Sequence, residues 1–127
     1  SVLYWYADAL ANDGQYAVAL EVIDRALGLE GASGDDHLLK SYIALELRDY
    51  PLARKAAEES LTVGEDDPWA HYYVAISMIH SGETKSGLAR FDQAMEGGLP
   101  DHRVGVFAKE LISAGKFVEA IQLRLKY

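Results

Sequence analysis

The chain has 127 residues, half of them hydrophobic, and no stretch approaches the roughly 20 uninterrupted apolar residues that a membrane-spanning helix needs. It contains no cysteine, which excludes disulfides, thiolate nucleophiles and cysteine-ligated zinc. Its net charge of −8 disfavours nucleic acid as the main partner, because phosphate contacts need clustered lysine and arginine.

The hydrophobic pattern predicts helices along the whole chain. Apolar residues recur at spacings of three and four, as in Leu3, Tyr6, Ala7 and Leu10, and no alternating strand pattern competes. This spacing puts the apolar side chains on one face of each helix. The sequence therefore predicts an all-α protein with helices at residues 2–13, 15–28, 36–48, 51–63, 68–81, 84–97, 101–114 and 117–126.

Several residues predict where the helices begin and end. In Asp67-Pro68 the aspartate is expected to cap a helix whose first turn holds the proline, and Pro51 can open a helix without losing a hydrogen bond. Three further acids are candidate caps: Asp35, Asp36 and Asp101. Three glycines predict the end of the second helix, because a left-handed residue is favoured there: Gly28, Gly31 and Gly34.

A similar phrase recurs four times along the chain, with spacings of 34, 34 and 33 residues. The copies align on Gly14, Arg48, Gly82 and Gly115. Another column holds only small residues, namely Ala7, Ser41, Ala75 and Ala108. A fixed period with small and large residues in fixed columns is typical of a stacked-repeat protein, in which each helix pair needs its neighbours to bury both faces.

These columns resemble those of the tetratricopeptide repeat, a helix–turn–helix unit of 34 residues. The third unit carries the resemblance best, through Ala75, Gly82, Phe91, Ala94 and Pro100. Departures from the family's pattern are Lys40 and Ala57 in the second unit and Arg124 in the fourth. Sel1-like repeats, with longer and more variable periods, are an alternative.

The resemblance implies a single array over residues 1–127. It would be a solenoid of antiparallel helix pairs wound into a right-handed superhelix of three and a half to four repeats. Its units would be 1–34, 35–68, 69–101 and a partial unit at 102–127.

The resemblance also implies that the first helix of each unit lines a concave groove for a partner. The residues in the matching columns are Tyr4, Asp8, Asn12, Leu38, Tyr42, Glu46, Trp69, Tyr72, Ile76, His80, Lys109 and Ile112. Some related arrays clamp the carboxylates of an acidic peptide with lysine and asparagine, and the matching columns here hold no basic cluster. We therefore expect an apolar or basic peptide or helix of another protein as the partner.

No set of residues predicts catalysis. The four histidines form no metal-binding pair, and no nucleophile, base and orienting group emerge together. The glycines of GLEGASG follow a predicted helix, not a strand, and lack the Lys-Ser/Thr ending of a phosphate loop. The expectation is a non-catalytic binding or scaffold module without cofactor or metal.

Two other functions remain open from the sequence. The chain lacks an initiator methionine and stops inside a unit, so it could be a docking or regulatory domain of a larger enzyme or of a bacterial secretion or envelope-assembly protein. Residues 1–34 carry five acids and one base, whereas 102–127 carry two acids and five bases, so copies could stack head to tail. We expect no direct membrane insertion, and a cytoplasmic location ahead of a periplasmic one.

Overall fold

The structure is a computed structural model, and it describes residues 1–29, 31 and 33–127. The described residues form eight α-helices and no strand. The helices are α1 (Val2–Asn12), α2 (Tyr16–Leu29), α3 (Gly34–Glu46), α4 (Tyr50–Val63), α5 (Pro68–His80), α6 (Thr84–Glu96), α7 (Arg103–Ser113) and α8 (Phe117–Lys126). The all-α prediction is confirmed.

The predicted capping residues are partly correct. Asp67 caps α5 by accepting a hydrogen bond from the Trp69 N–H at 2.9 Å, as expected. Ser33 caps α3 and exchanges hydrogen bonds with Asp36, so Asp35 is not the cap. The assignment of Asp101 was wrong, because α7 begins one residue beyond His102 and no side chain caps it.

The predicted end of α2 was also too early. Gly28 lies inside the helix, which continues to Leu29, and only Gly31 adopts the left-handed conformation, with φ 73°. Gly34 is the first residue of α3 and does not terminate α2. Its Cα lies so close to Gly64 that a Cβ built on Gly34 would be 3.2 Å from the Gly64 Cα, which explains a glycine at this position.

The turn inside each helix pair has the same backbone conformation in all four copies of the phrase. The four residues on which the phrases align have positive φ angles of 79°, 58°, 86° and 78°, at Gly14, Arg48, Gly82 and Gly115 respectively. Each even-numbered helix begins two residues later, so the period of the sequence is also the period of the helices. Arg48 is the only non-glycine residue in the described part of the chain with a positive φ.

Consecutive helices pack against each other, and neighbouring odd-numbered helices also lie in contact. The contact between the second helix of one pair and the first helix of the next pair depends on which residue occupies one column of the repeat. Ala57 of α4 packs against Val74 of α5, and these small side chains let the helix backbones approach closely. In the next pair Phe91 stacks on Phe107 with ring centroids 4.2 Å apart, and the α6 and α7 backbones stay more than 8 Å apart.

The departure at Lys40 has a matching explanation. Its column is occupied by Val74 and Phe107 in the later units, and its ammonium pairs with Asp24 of α2 at 2.8 Å. The long aliphatic stem of a lysine can cover apolar surface while its charge stays at the edge. An ion pair therefore takes the place of an apolar contact between α2 and α3.

The buried residues form separate clusters along the chain. One joins α1, α2 and α3 around Ile23 and Ile43, and another joins α5 to α8 around Tyr72, Phe91 and Phe107. A third small cluster lies at the α4–α5 contact. This arrangement follows from stacked helix pairs, since each pair buries residues mainly against its neighbours.

Candidate functional site

A cleft of about 180 Å³ opens between α3, α5 and α7. We call it the aromatic cleft, and it is lined by Tyr42, Leu45, Glu46, Arg48, Tyr50, Trp69, Tyr72, Tyr73, Ile76, Arg103, Val106 and Glu110. Most of these residues come from odd-numbered helices, which lie side by side and present a common face.

Four aromatic rings form the wall of the cleft. The Trp69 ring centroid lies 5.9 Å from that of Tyr72 and 6.2 Å from that of Tyr73, and Tyr73 lies 6.4 Å from Tyr42. Tyr72 is only 2% exposed, whereas the other three side chains are half-buried. Rings held in this way are rigid contact surfaces that lose little entropy on binding.

Arg103, the first residue of α7, places its guanidinium on this wall. Its Cζ lies 4.8 Å from the Trp69 ring centroid and 5.9 Å from that of Tyr72, which is the range of cation–π contacts. Among the described residues, Arg103 forms no ion pair, and its Nε has no hydrogen-bond partner. Aromatic faces thus hold the guanidinium without neutralising it.

The hydroxyl groups of the cleft respond to this charge. Burial raises the pKa of Tyr42, Tyr72 and Tyr73 above the ordinary value of 10.0, and Arg103 opposes the shift in each case, through its charge and, at Tyr72, first through a hydrogen bond to the phenol oxygen. The O–H of the buried Tyr72 hydroxyl has no acceptor in the described part of the chain. A protonated phenol with no acceptor therefore lies beside an unpaired guanidinium.

The rim of the cleft is ordered by three contacts. Tyr50 stacks on His80 with ring centroids 4.3 Å apart, and His80 Nε2 lies 3.0 Å from a carboxylate oxygen of Glu110. Arg48 donates a hydrogen bond to the Tyr50 hydroxyl at 3.1 Å. These contacts occupy Glu110 and turn the exposed Arg48 toward the rim.

The surface continues from the aromatic cleft toward α1. A second depression of about 240 Å³ shares Tyr42 and Tyr73 with the cleft. Its other lining residues are Tyr4, Asp8, Asp35, Leu38 and Leu39. This half carries carboxylates between tyrosines, whereas the other half carries two arginines and two glutamates.

The structure brings most of the predicted groove residues together. Tyr4, Asp8 and Leu38 line the second depression, and the residues lining the aromatic cleft include Tyr42, Glu46, Trp69, Tyr72 and Ile76. Tyr72 and Ile76 are buried, so they form the floor and do not stand out from it.

Four predicted residues lie outside both depressions. His80 lies behind Tyr50, while Asn12, Lys109 and Ile112 are exposed and line neither one. α7 reaches the cleft with its first two turns, through Arg103, Val106 and Glu110, and these columns were not considered from the sequence.

Sequence reasoning missed Arg103, although a signal was present. Its column holds Ala70 in the third unit, and Ala70 is fully buried. The charged guanidinium of an arginine cannot stay among apolar side chains. An arginine in an inward-facing column must therefore extend along the array toward its surface or disrupt the packing. The columns compared with the carboxylate clamp hold no basic cluster, and the two arginines that line the cleft, Arg103 and Arg48, come from other positions.

No family model, curated protein or solved structure matches the chain. The tetratricopeptide resemblance therefore rests on the sequence columns alone, and it stays a proposal.

Within the described residues, no helix is both long and apolar enough to cross a membrane. The same part of the chain holds no group of three or more histidine, aspartate or glutamate side chains that could bind a metal ion.

Proposed function

We propose that the chain is a non-catalytic, tetratricopeptide-like module that binds a segment of another protein across the aromatic cleft and the second depression. The observation that carries this proposal is the wall of Tyr42, Trp69, Tyr72 and Tyr73 on one face of adjoining odd-numbered helices. Clustered tyrosine and tryptophan side chains dominate the binding energy of many protein interfaces.

The dimensions of the cleft favour a peptide over a small metabolite. Pockets for drug-sized ligands usually enclose about 300–1,000 Å³, and the cleft is smaller, at about 180 Å³. It continues into a second depression along the same face, with Tyr42 and Tyr73 lining both. An extended chain or the side of a helix can occupy two adjoining depressions with successive side chains.

The two halves suit different side chains of a partner. In the second depression, Asp8 and Asp35 lie among tyrosines, an arrangement that suits a lysine or arginine of the partner. The prediction of an apolar or basic partner therefore applies best to this half. The aromatic cleft offers ring surfaces to an apolar side chain next to it.

A selection from a random peptide library displayed on phage tests the proposal. We expect the chain to enrich a consensus with apolar residues, and Trp69→Ala to weaken binding of the selected peptide about 30-fold or more, because such a side chain is worth ≥ ~2 kcal/mol in an interface centre. Phe117→Ala is the matched control, since Phe117 is 60% exposed on α8 and lines neither depression. Equal affinity of the wild type and a folded Trp69→Ala variant would exclude the cleft.

Head-to-tail self-assembly is a second candidate function, favoured by apolar side chains on both terminal helices. On α8, Phe117, Val118, Ile121 and Leu125 are 60–82% exposed, and on α1, Trp5 is 66% exposed. A contact between unlike ends of two copies is heterologous and leads to rings or filaments. Sedimentation across a concentration series tests this: association that Ile121→Lys abolishes supports it, and a monomer at every concentration excludes it.

A further inference from the structure

We infer that Arg103 is a recognition site for an acidic side chain, aspartate or glutamate, in the partner segment that occupies the aromatic cleft. This inference rests on the proposed function and adds to it the chemistry of one partner residue. Arg103 reaches this half of the groove from a column outside those compared with the carboxylate clamp.

The first observation is the state of the Arg103 side chain. Its guanidinium lies on the faces of Trp69 and Tyr72, yet it pairs with no carboxylate of the described residues. A guanidinium held against two aromatic rings keeps the N–H groups that point away from them available for both oxygens of a carboxylate. The two ring contacts restrict this group before a ligand arrives, which reduces the entropy cost of binding.

The second observation is the Tyr72 hydroxyl. Tyr72 is 2% exposed, lines the cleft, and has a buried hydroxyl with no acceptor among the described residues. A buried donor without a partner costs free energy, and a carboxylate oxygen next to Arg103 would offer it an acceptor. A phenol O–H without an acceptor and a guanidinium without a carboxylate thus match one ligand group with two oxygens.

The remaining charges of the cleft restrict where that carboxylate can lie. Glu110 lies against His80 at the rim, and Glu46 is exposed at the mouth. Both would repel a carboxylate, so only the position on Arg103 is favourable. Arg48, the other cation that lines the cleft, already donates a hydrogen bond to Tyr50. It is also exposed, so solvent screens its attraction for a carboxylate.

The inference commits to a side chain within the segment and not to a chain terminus. The cleft shares Tyr42 and Tyr73 with the second depression, so a bound segment has a continuous surface to follow beyond Arg103. Leu45 and Val106 line the cleft near the arginine. The expected motif is therefore an acidic residue with apolar neighbours.

The test uses synthetic peptides made from the phage consensus, acetylated and amidated at their ends. At the position that contacts the cleft they carry glutamate, glutamine or lysine, and one further glutamine peptide has a free terminal carboxylate. Affinities are measured by fluorescence anisotropy with the wild-type chain, with Arg103→Gln and with Lys109→Gln. Lys109→Gln is a suitable control because it removes a positive charge from the same helix, at an exposed residue that lines neither depression.

We expect the wild type to bind the glutamate peptide about tenfold or more tightly than the glutamine peptide, as for a hydrogen-bonded charge pair. Arg103→Gln should lose that preference and still bind the glutamine peptide, whereas Lys109→Gln should keep it. Equal binding of the glutamate and glutamine peptides by the wild type overturns the inference and leaves the proposed function standing. Tightest binding of the peptide with the free terminus also overturns it, and failure of all peptides overturns both.

Discussion

Gly87 shows how one residue sets the distance between two helices. A Cβ built on Gly87 would lie 2.7 Å from Ile79 Cγ2 and 3.1 Å from the Ala75 carbonyl oxygen, so α5 and α6 are too close for alanine. The corresponding column holds alanine in the other three units, namely Ala19, Ala53 and Ala120. The sequence pattern marked the column as small, but only the packing shows that this copy requires glycine.

We therefore expect Gly87→Ala to destabilise the chain despite the better helix propensity of alanine. Overpacking costs about 1–3 kcal/mol, against a propensity gain of about 1 kcal/mol, so the net loss should be about 1 kcal/mol. Gly105→Ala is the matched control, because its Cβ would meet only Arg124 Nη1, at 3.6 Å. Urea unfolding of both variants measures the difference, and equal effects would contradict the close approach of α5 to α6.

Tyr73 links the cleft to the stability of the fold at alkaline pH. Burial raises its pKa well above the unfolded value of 10.0, with a smaller opposing effect from Arg103. As the pH rises the unfolded chain releases this proton first, so the stabilisation is complete below pH 10.0 and decreases above it.

The expected result is a larger loss of stability between about pH 8 and pH 11 in the wild type than in Tyr73→Phe. Phenylalanine keeps the ring and removes the ionisable hydroxyl. The other tyrosines with raised pKa values leave part of the loss in the variant. Urea midpoints at the two pH values provide the measurement, and identical losses would contradict the raised pKa of Tyr73.

At the scale of elements, helix periodicity was enough to predict eight helices, and their ends needed tertiary information. α3 begins at Gly34 because the side chains of Ser33 and Asp36 each accept a hydrogen bond from the backbone N–H of the other residue. The sequence did not reveal this pairing, because either of the adjacent aspartates Asp35 and Asp36 could have been the cap. α7 begins later than predicted because Asp101 lies in a turn and does not cap it. Local signals identified the elements, but competing capping residues could be resolved only by their hydrogen bonds.

The spacing between elements depends on which side chains meet. The stacked rings of Phe91 and Phe107 are the contact that joins α6 to α7, since the two backbones stay apart. Ala57 and Val74 occupy the same columns one unit earlier and bring α4 close to α5. Alanine at position 57, in the column that holds Phe91 one unit later, therefore changes the distance between α4 and α5 but not the order in which the helices pack.

Phe107→Ala should cost about 3–5 kcal/mol, because it leaves a cavity where little backbone contact can compensate. Phe107 is fully buried, and Phe117→Ala offers the same change at a side chain that is 60% exposed. We expect Phe117→Ala to change the free energy of unfolding very little. Similar losses for the two variants, measured by chemical unfolding, would argue against the stacked contact.

At the scale of the whole molecule, the repeat predicted which helices share a face, and this was sufficient to find most of the cleft. Trp69, Tyr42 and Tyr4 follow from the column assignment. The column assignment did not predict Arg103, which lies in an inward-facing column, or Tyr50, which begins an even-numbered helix. Side chains that reach across from a neighbouring element cannot be assigned to a surface by periodicity alone.

The proposed function requires the aromatic cleft to be the surface that a partner segment contacts. The chain has two tryptophans, Trp5 on α1 and Trp69 in the cleft, so each can be made the sole reporter by changing the other to phenylalanine.

The decisive measurement is the tryptophan emission of Trp5→Phe and of Trp69→Phe during titration with the selected peptide. We predict a saturable spectral shift from Trp69 in the first variant and a smaller one from Trp5 in the second, because the Trp5 ring lies 5.1 Å from that of Tyr4, which lines the second depression. A silent Trp69 at saturating peptide, with a shift from Trp5 instead, would contradict the assignment of the cleft as the binding surface.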